Sequence, residues 1–446
     1  MKSLSRLRAD ASRIWKAALG AVDPEVAVSA HVKREGDRLR IDGRSYDIAP
    51  PRRVWVIAIG KAASPMARAL ERVLGRRLAG GIVVTKYGHG LPLGRLELIE
   101  TGHPLPDLNG VEAAESIRRL AETRVAPGDL VLAPISGGGS ALVVAPAAGI
   151  TLPDKLATTE LLLRSSATIQ EINALRKHLS WLKGGGLARS LEAATVVSLI
   201  LSDVVGDDPA TIASGPLAPD PTTFRECLEI LDRHGIADRV PSAVRRRLEA
   251  GSRGKIEETP KPGDPVFRRI QNVLVGNNGA ACAAALREAR RLGYRSLVLT
   301  SRLEGDTAEA ARFHCAIAAE IALAGRPLRR PACVVSGGET TVKLQGNGKG
   351  GRNQEFALRC ARPLASIPAP CLVCSLGTDG TDGPTDAAGA VADSRTLARS
   401  LDAAPGLLEA ALENNDSYNF FARLGDLIIT GPTRTNVVDL HVVLVG

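Results

Sequence analysis

The sequence predicts an α/β protein of two domains, on three observations. Short β-rich apolar runs end in Gly, Ser or Asp and give way, again and again, to Ala/Leu/Arg-rich amphipathic stretches, which is the rhythm of βαβ units. A chain of 446 residues is long enough for two or three domains of roughly 100–200 residues each. Residues 245–268 (RRRLEAGSRGKIEETPKPGDPVFR) are polar, Pro/Gly-rich and without apolar periodicity, as expected of an interdomain connection. Two α/β lobes facing each other across a cleft would place a ligand site at their interface.

The apolar runs fall, in order, at 54–61 (VWVIAIGK), 81–88, 97–104, 129–140, 195–208, 272–279, 296–306, 332–340 and 371–380. Amphipathic stretches at 65–74, 111–123 and 280–292 separate several of them, which argues for parallel sheets covered on both faces. The last segment (DLIITGPTRTNVVDLHVVLVG) reads as two strands joined by a Gly-Pro turn. The N-terminal stretch breaks every apolar run with Arg, Asp or Lys, so it reads as an amphipathic helix of a cytoplasmic protein and not as a secretion signal.

Composition narrows the function. With 44% hydrophobic and 24% charged residues the chain is expected to fold, and no apolar run approaches the ~18 residues of a membrane span. The seven cysteines make an odd number, with one C-x-x-C at Cys371 and Cys374 and no second ligand pair, so core thiols are expected and not zinc. The net charge of +9 suits an anionic partner, but the basic residues are scattered and Phe, Tyr and Trp number only six, four and three, so nucleic acid is not expected. There is no G-x-x-x-x-G-K-[ST] loop, no kinase H-R-D and D-F-G set and no G-x-S-x-G elbow.

Candidate site residues cluster at strand ends, where ligands gather in open α/β sheets. Ser136, Gly137, Gly138, Gly139 and Ser140 can offer backbone N–H groups and two hydroxyls to an anion. Gly60 lets the backbone approach a ligand while Lys61 projects a point charge over it. Asp203 and Asp207 close the most apolar run and can serve Mg²⁺, which takes one or two carboxylates plus waters and phosphate oxygens. The loop from Asp379 to Asp386 lacks the closing Glu of a calcium hand and is left to present carboxylates and backbone to a substrate. Gly346, Gly348 and Gly351 match G-x-G-x-x-G, but no ribose-binding acid follows, and a loop carrying Lys349 and Arg352 to anionic oxygens explains the same residues. In residues 171–188, Asn173, Arg176 and Ser180 share a polar helical face ahead of Lys183, and Arg176 can meet a carboxylate or phosphate. Asn277 and Glu339 complete the candidates.

Taken together, IGKAA, TGHPLPDLNG, SGGGSA, EINALRKHLSWLKGGGLA, LSDVVGDDPATIASGP, SGGETTV, GGRNQEFAL, GTDGTDGPTDAAGA, NNDSYNFF and TGPTRTNVVDL closely resemble the glycerate 2-kinase family, with the motifs in order from about Ala11 to Gly446. The resemblance implies a Rossmann-like N-terminal domain over 1–250, an α/β domain of its own type over 268–446, and an active site in the cleft. It also implies ATP and Mg²⁺ as cofactors, D-glycerate as acceptor and 2-phosphoglycerate as product. Lys61 and Arg352 stand where the family places its catalytic lysine and arginine. Relatives often carry a hydroxypyruvate reductase label, which makes an NAD(P)H-dependent reductase the competing activity. A homodimer is allowed by the sequence and not required by it.

Overall fold

Every side chain of Val54–Ile59 (VWVIAI) is buried, as is every one of Leu130–Ser136 (LVLAPIS), which is what strands covered on both faces require. They lie at the centre of a six-stranded sheet in a computed structural model that describes residues 2–446. The strands of this sheet are β1 (Val54–Ile59), β2 (Leu78–Lys86), β3 (Glu97–Thr101), β4 (Leu130–Ser136), β5 (Thr195–Leu201) and β6 (Ile270–Gly276), in the order β3-β2-β1-β4-β5-β6. The pairings from β3 to β5 are all parallel. Order therefore reverses between β1 and β4, and ligands of open α/β sheets bind outside the carboxyl ends of the strands at such a reversal. Trp55, Ile57, Ile117, Val131, Leu142 and Leu182 belong to the core on this sheet.

This sheet belongs to one of two compact units, Pro24–Val275. The unit also holds a three-stranded antiparallel meander at Val32–Glu35, Arg38–Ile41 and Arg44–Asp47 and a helical cluster around Leu162, Leu175, Phe224 and Leu248. The other unit joins the chain up to Asp23 to Gly276–Gly446. Its sheet contains β7 (Arg295–Asp306), β8 (Ala332–Thr341), β9 (Cys371–Gly377), β10 (Gly389–Asp393), β11 (Leu427–Ile428) and β12 (Asp439–Val445), ordered β7-β8-β12-β9-β10-β11. Only β7 and β8 pair in parallel. The remaining pairs are antiparallel, so the second sheet is mixed where the sequence suggested parallel strands throughout.

Two boundary expectations change. The first helix, α1 (Leu4–Ala21), buries Leu7, Ala11, Ile14 and Ala18 in the second unit, not the first. Its Arg8 donates to Asp393 (2.7 Å) and to Asp426 (2.7 Å), and its Asp10 accepts from Tyr294 (2.8 Å). Residues 245–268 are not a linker either. Helix Ser242–Ser252 buries Val244 and Leu248, and the backbone of Asp220 donates to Pro260 (2.9 Å), tying the polar segment into Pro24–Val275. Both cysteines of the C-x-x-C, like the other five, are free and buried, as core thiols should be. Among the described residues no helix is long and apolar enough to cross a membrane.

Candidate active site

The carboxyl ends of β1 and β4 meet through a hydrogen-bonded pair of turns. Lys61 N donates to Gly137 O (2.9 Å) and Ala62 N to Ser136 Oγ (3.0 Å). Gly60 has φ +128°, and a Cβ there would strike Ser136, so the two strand ends approach this closely only because residue 60 lacks a side chain. A Cβ on Gly137 would strike the Asp203 carboxylate, which puts that acid against the turn. At Gly138, with φ +82°, a Cβ would lie 3.1 Å from Lys61 Cγ and 3.1 Å from the His103 ring. The 136–140 turn, Gly60, Lys61 and Asp203 thus come together, and His103 joins them. His103 sits in a Gly-His-Pro turn that offers no periodicity to mark it.

Ser140 continues the site toward α6 (Ile169–His178). Its hydroxyl lies 2.6 Å from that of Ser214, and its carbonyl accepts from Lys183 Nζ (2.6 Å). The helix ends at His178, so Ser180 is not on the predicted helical face, and Lys183 reaches the site from the following turn. Gly138, Ser140, Arg176 and Lys183 line one cavity of about 680 Å³, within Pro24–Val275. A third cation lines it as well: Lys155 of α5 (Leu152–Arg164), whose ammonium donates to Leu179 O (2.9 Å). Among the described residues no carboxylate pairs with Lys155, Arg176 or Lys183. Burial, reinforced by Arg176 and Arg247, pushes Lys155 down to about 7. Burial, with Lys155 and Arg176 adding to it, drives Lys183 well below the ordinary lysine range. Three cations crowded without a counter-ion make a site that an anion would relieve.

Arg352 opens α9 (Arg352–Ala365) in the other unit and is gripped from two sides. Its Nε and Nη2 donate to the fully buried Asp439 (2.6 and 3.1 Å), and its Nη1 pairs with Glu339 (2.6 Å). Burial opposes the Arg352 charge, but the two acids outweigh it and raise the guanidinium above its usual value. Burial lifts Asp439 to about 7 against the pull of Arg352. Asn353 donates to Asp439 (2.9 Å) and accepts from Ser375 (2.7 Å), so the bidentate pair is itself fixed. Asp439 was not legible as a partner: it stands at the head of an apolar strand, 87 positions from Arg352.

Other candidates have structural tasks. Asn277 caps α7 (Asn278–Arg291) by accepting from Ala280 N (2.9 Å). Asp379 forms a local turn with Thr381 (3.1 Å), Asp382 takes the N–H groups of Asn353 and Gln354 at the start of α9, and Asp386 accepts from Tyr418 (2.7 Å). The G-x-G-x-x-G loop has its amides engaged: Gln345 N donates to Asn415 (2.7 Å), Asn347 N to Asn414 (3.0 Å) and Lys349 N to Asp416 (2.9 Å). Asp207 lies in the turn after β5 with φ +60°. Among the described residues no three His, Cys, Asp or Glu side chains gather as a metal site.

The sequence matches a domain of unknown function, DUF4147, over residues 10–249 and the MOFRL family over residues 332–439. It is 43% identical to a glycerate 2-kinase of Pyrococcus horikoshii over 97% of this chain and 96% of that one. A protein of Agrobacterium vitis, 42% identical over 97% of this chain and 93% of its own, is provisionally named a hydroxypyruvate reductase. The crystal structure of a Thermotoga maritima glycerate kinase, 40% identical, covers 99% of both chains with a TM-score of 0.87.

Proposed function

Because the chain belongs to the glycerate 2-kinase family, we propose that it transfers the γ-phosphate of ATP to the C2 hydroxyl of D-glycerate, giving 2-phosphoglycerate and ADP. The similarity to glycerate 2-kinases along nearly the whole chain carries this reading. The strand order β3-β2-β1-β4-β5-β6, which is that of Rossmann-like sheets, supports it.

Phosphoryl transfer asks a protein for positioning and for charge stabilisation more than for covalent chemistry. Lys61 stands over the glycine turn to meet the transferring phosphoryl group. Arg352, its guanidinium held in one plane by Asp439, supplies the second positive charge. The turn from Ser136 to Ser140 offers backbone N–H groups to anionic oxygens, and Gly60, whose own N–H donates to Val84 O, lets the two strand ends meet because it lacks a side chain. Arg176 and Lys183 add positive charge beside the turn.

Mg²⁺ fits the residues present. Asp203 lies against the Gly137 turn where a side chain would otherwise stand, and one carboxylate with waters and phosphate oxygens is an ordinary Mg²⁺ environment. Asp203, with Asp207 as its neighbour in the same turn, would hold the ion. When bound, it neutralises phosphate charge. Glu339 enters the reading by holding Arg352, while Asn277 caps a helix and Asp379 shapes a turn of the second unit.

The reductase reading needs a dinucleotide site, and in its one G-x-G-x-x-G loop the amides from Gly346 to Lys349 are engaged by Asn414, Asn415 and Asp416. A coupled assay with ATP, Mg²⁺ and D-glycerate, using enolase to separate 2-phosphoglycerate from 3-phosphoglycerate, tests the proposal beside an NADH assay with hydroxypyruvate. Direct formation of 2-phosphoglycerate is expected. NADH oxidation without phosphorylation would replace the kinase by the reductase.

A further inference from the structure

The cavity beside the glycine turn is built for more than a three-carbon acid. Its volume of about 680 Å³ falls within the roughly 300–1,000 Å³ of pockets that enclose drug-sized ligands. Its lining joins two chemistries. Lys155, Arg176 and Lys183 line it with no carboxylate paired to any of them among the described residues, the one lining acid, Glu160, pairing with Arg164. Leu156, Leu163 and Leu105 line it as well, and these three side chains are 38%, 61% and 77% exposed. Large aliphatic side chains left open to water around one cavity mark a surface that a ligand covers. D-glycerate has oxyanions for the cations but no apolar body for the leucines. A ligand with phosphates at one end and a flat aromatic base at the other matches both.

We propose that this cavity binds the adenine nucleotide, its phosphates at Lys155, Arg176 and Lys183 and its base against Leu156 and Leu163. The inference rests on the kinase reading and deepens it, by giving the phosphoryl donor a place and by assigning Lys155 and the α5 leucines, which the sequence did not nominate. It also gives Arg176, which the sequence left between a carboxylate and a phosphate, to the donor's phosphates. The glycine turn borders the cavity, since Gly138 and Ser140 line it. A donor seated there points its terminal phosphate toward Lys61, which flanks Gly138. The crowding of three basic groups supports the same assignment, because a polyphosphate favours the charged form of all three together.

The test is titration calorimetry of the full chain with ADP, acceptor absent, together with KM values for ATP and D-glycerate. Two variants carry it: Lys155→Met, and Leu163→Asp, which places a carboxylate on an exposed position of the apolar wall without disturbing a core. The expected result is ADP binding by the native protein, weakened at least tenfold in both variants, with KM for ATP rising in parallel and KM for D-glycerate within twofold. An unchanged ADP affinity in both variants overturns the inference, as does a rise in KM for D-glycerate alone. Binding of NADH and not ADP, lost in the same variants, overturns it too. The two readings fail separately. A protein that binds ADP in this variant-sensitive way but forms no 2-phosphoglycerate refutes the kinase and keeps the nucleotide site. One that forms 2-phosphoglycerate while both variants hold ADP normally keeps the kinase and refutes the site.

Discussion

Removing the guanidinium of Arg352 would leave the Asp439 carboxylate fully buried, with Asn353 as its remaining side-chain donor. Arg352→Ala is therefore expected to lose stability as well as rate, by about 3–5 kcal/mol for a buried ion pair broken on one side. Arg352→Ala with Asp439→Asn separates the two effects: urea midpoints should recover toward the parent while kcat stays low. Lys61→Ala should lower kcat by about 10²–10³. A near-parental kcat would remove Lys61 from the chemistry. Lys155 gives the pH prediction. It titrates near 7 in the folded chain and near 10.4 when unfolded, so between those values the unfolded chain holds the extra proton. Stability from this group falls as pH drops from about 10 toward 7, and Lys155→Met should flatten that slope in urea titrations. Lys61 and the glycine turn were legible because each sits at a strand end, a local signal. Lys155 was not, because a lysine on an amphipathic helix reads as solvated until the fold brings Arg176 and Lys183 beside it.

The ends of β1 and β4 rest on glycines for steric reasons that can be tested. Gly60→Ala combines a backbone at φ +128° with a Cβ that strikes Ser136. A cost of about 1–3 kcal/mol follows from the conformation alone, and activity should fall with it because Lys61 is the next residue. The strands themselves were readable: the run at 54–61 became Val54–Ile59, trimmed where the turn residues begin, and the run at 332–340 became Ala332–Thr341. Strand direction in the second sheet was not. Whether β12 runs with or against β8 depends on the 97 residues between Thr341 and Asp439, which contain three other strands, and apolar periodicity carries no sign of direction. The segment at 171–188 misled for a related reason. Its leucines keep helical spacing to Leu182, but the helix stops at His178, short of Lys183 and its three glycines.

The two units divide the chain in a way that composition could not disclose. A polar, Pro/Gly-rich segment at 245–268 looks like a linker, yet its hydrogen bonds lie within Pro24–Val275. The first helix looks like the start of the first domain, yet Arg8 meets Asp393 and Asp426, two carboxylates that are 3% and 2% exposed on their side chains. Arg8→Ala is expected to cost about 1.5–3 kcal/mol, the range for a charged hydrogen bond lost, with Arg399 retaining part of the compensation for Asp426. Hydrogen exchange should locate the damage: faster exchange in β10 and β12, with β1 and β4 of the other unit unchanged. Loss of protection in β1 instead would contradict the assignment of α1.

The placement of α1 also sets an order of events on the ribosome. Arg8 is synthesised first, and its partners Asp393 and Asp426 follow 385 and 418 positions later. At about 5–20 residues per second, that is a wait of roughly 20–80 seconds. Pro24–Val275 is complete well before it ends. The earliest helix therefore spends most of translation with its apolar face of Leu7, Ile14 and Ala18 uncovered, until its partner helix α7 and Tyr294 are made, and its Arg8 ion pairs close only when the chain is nearly finished.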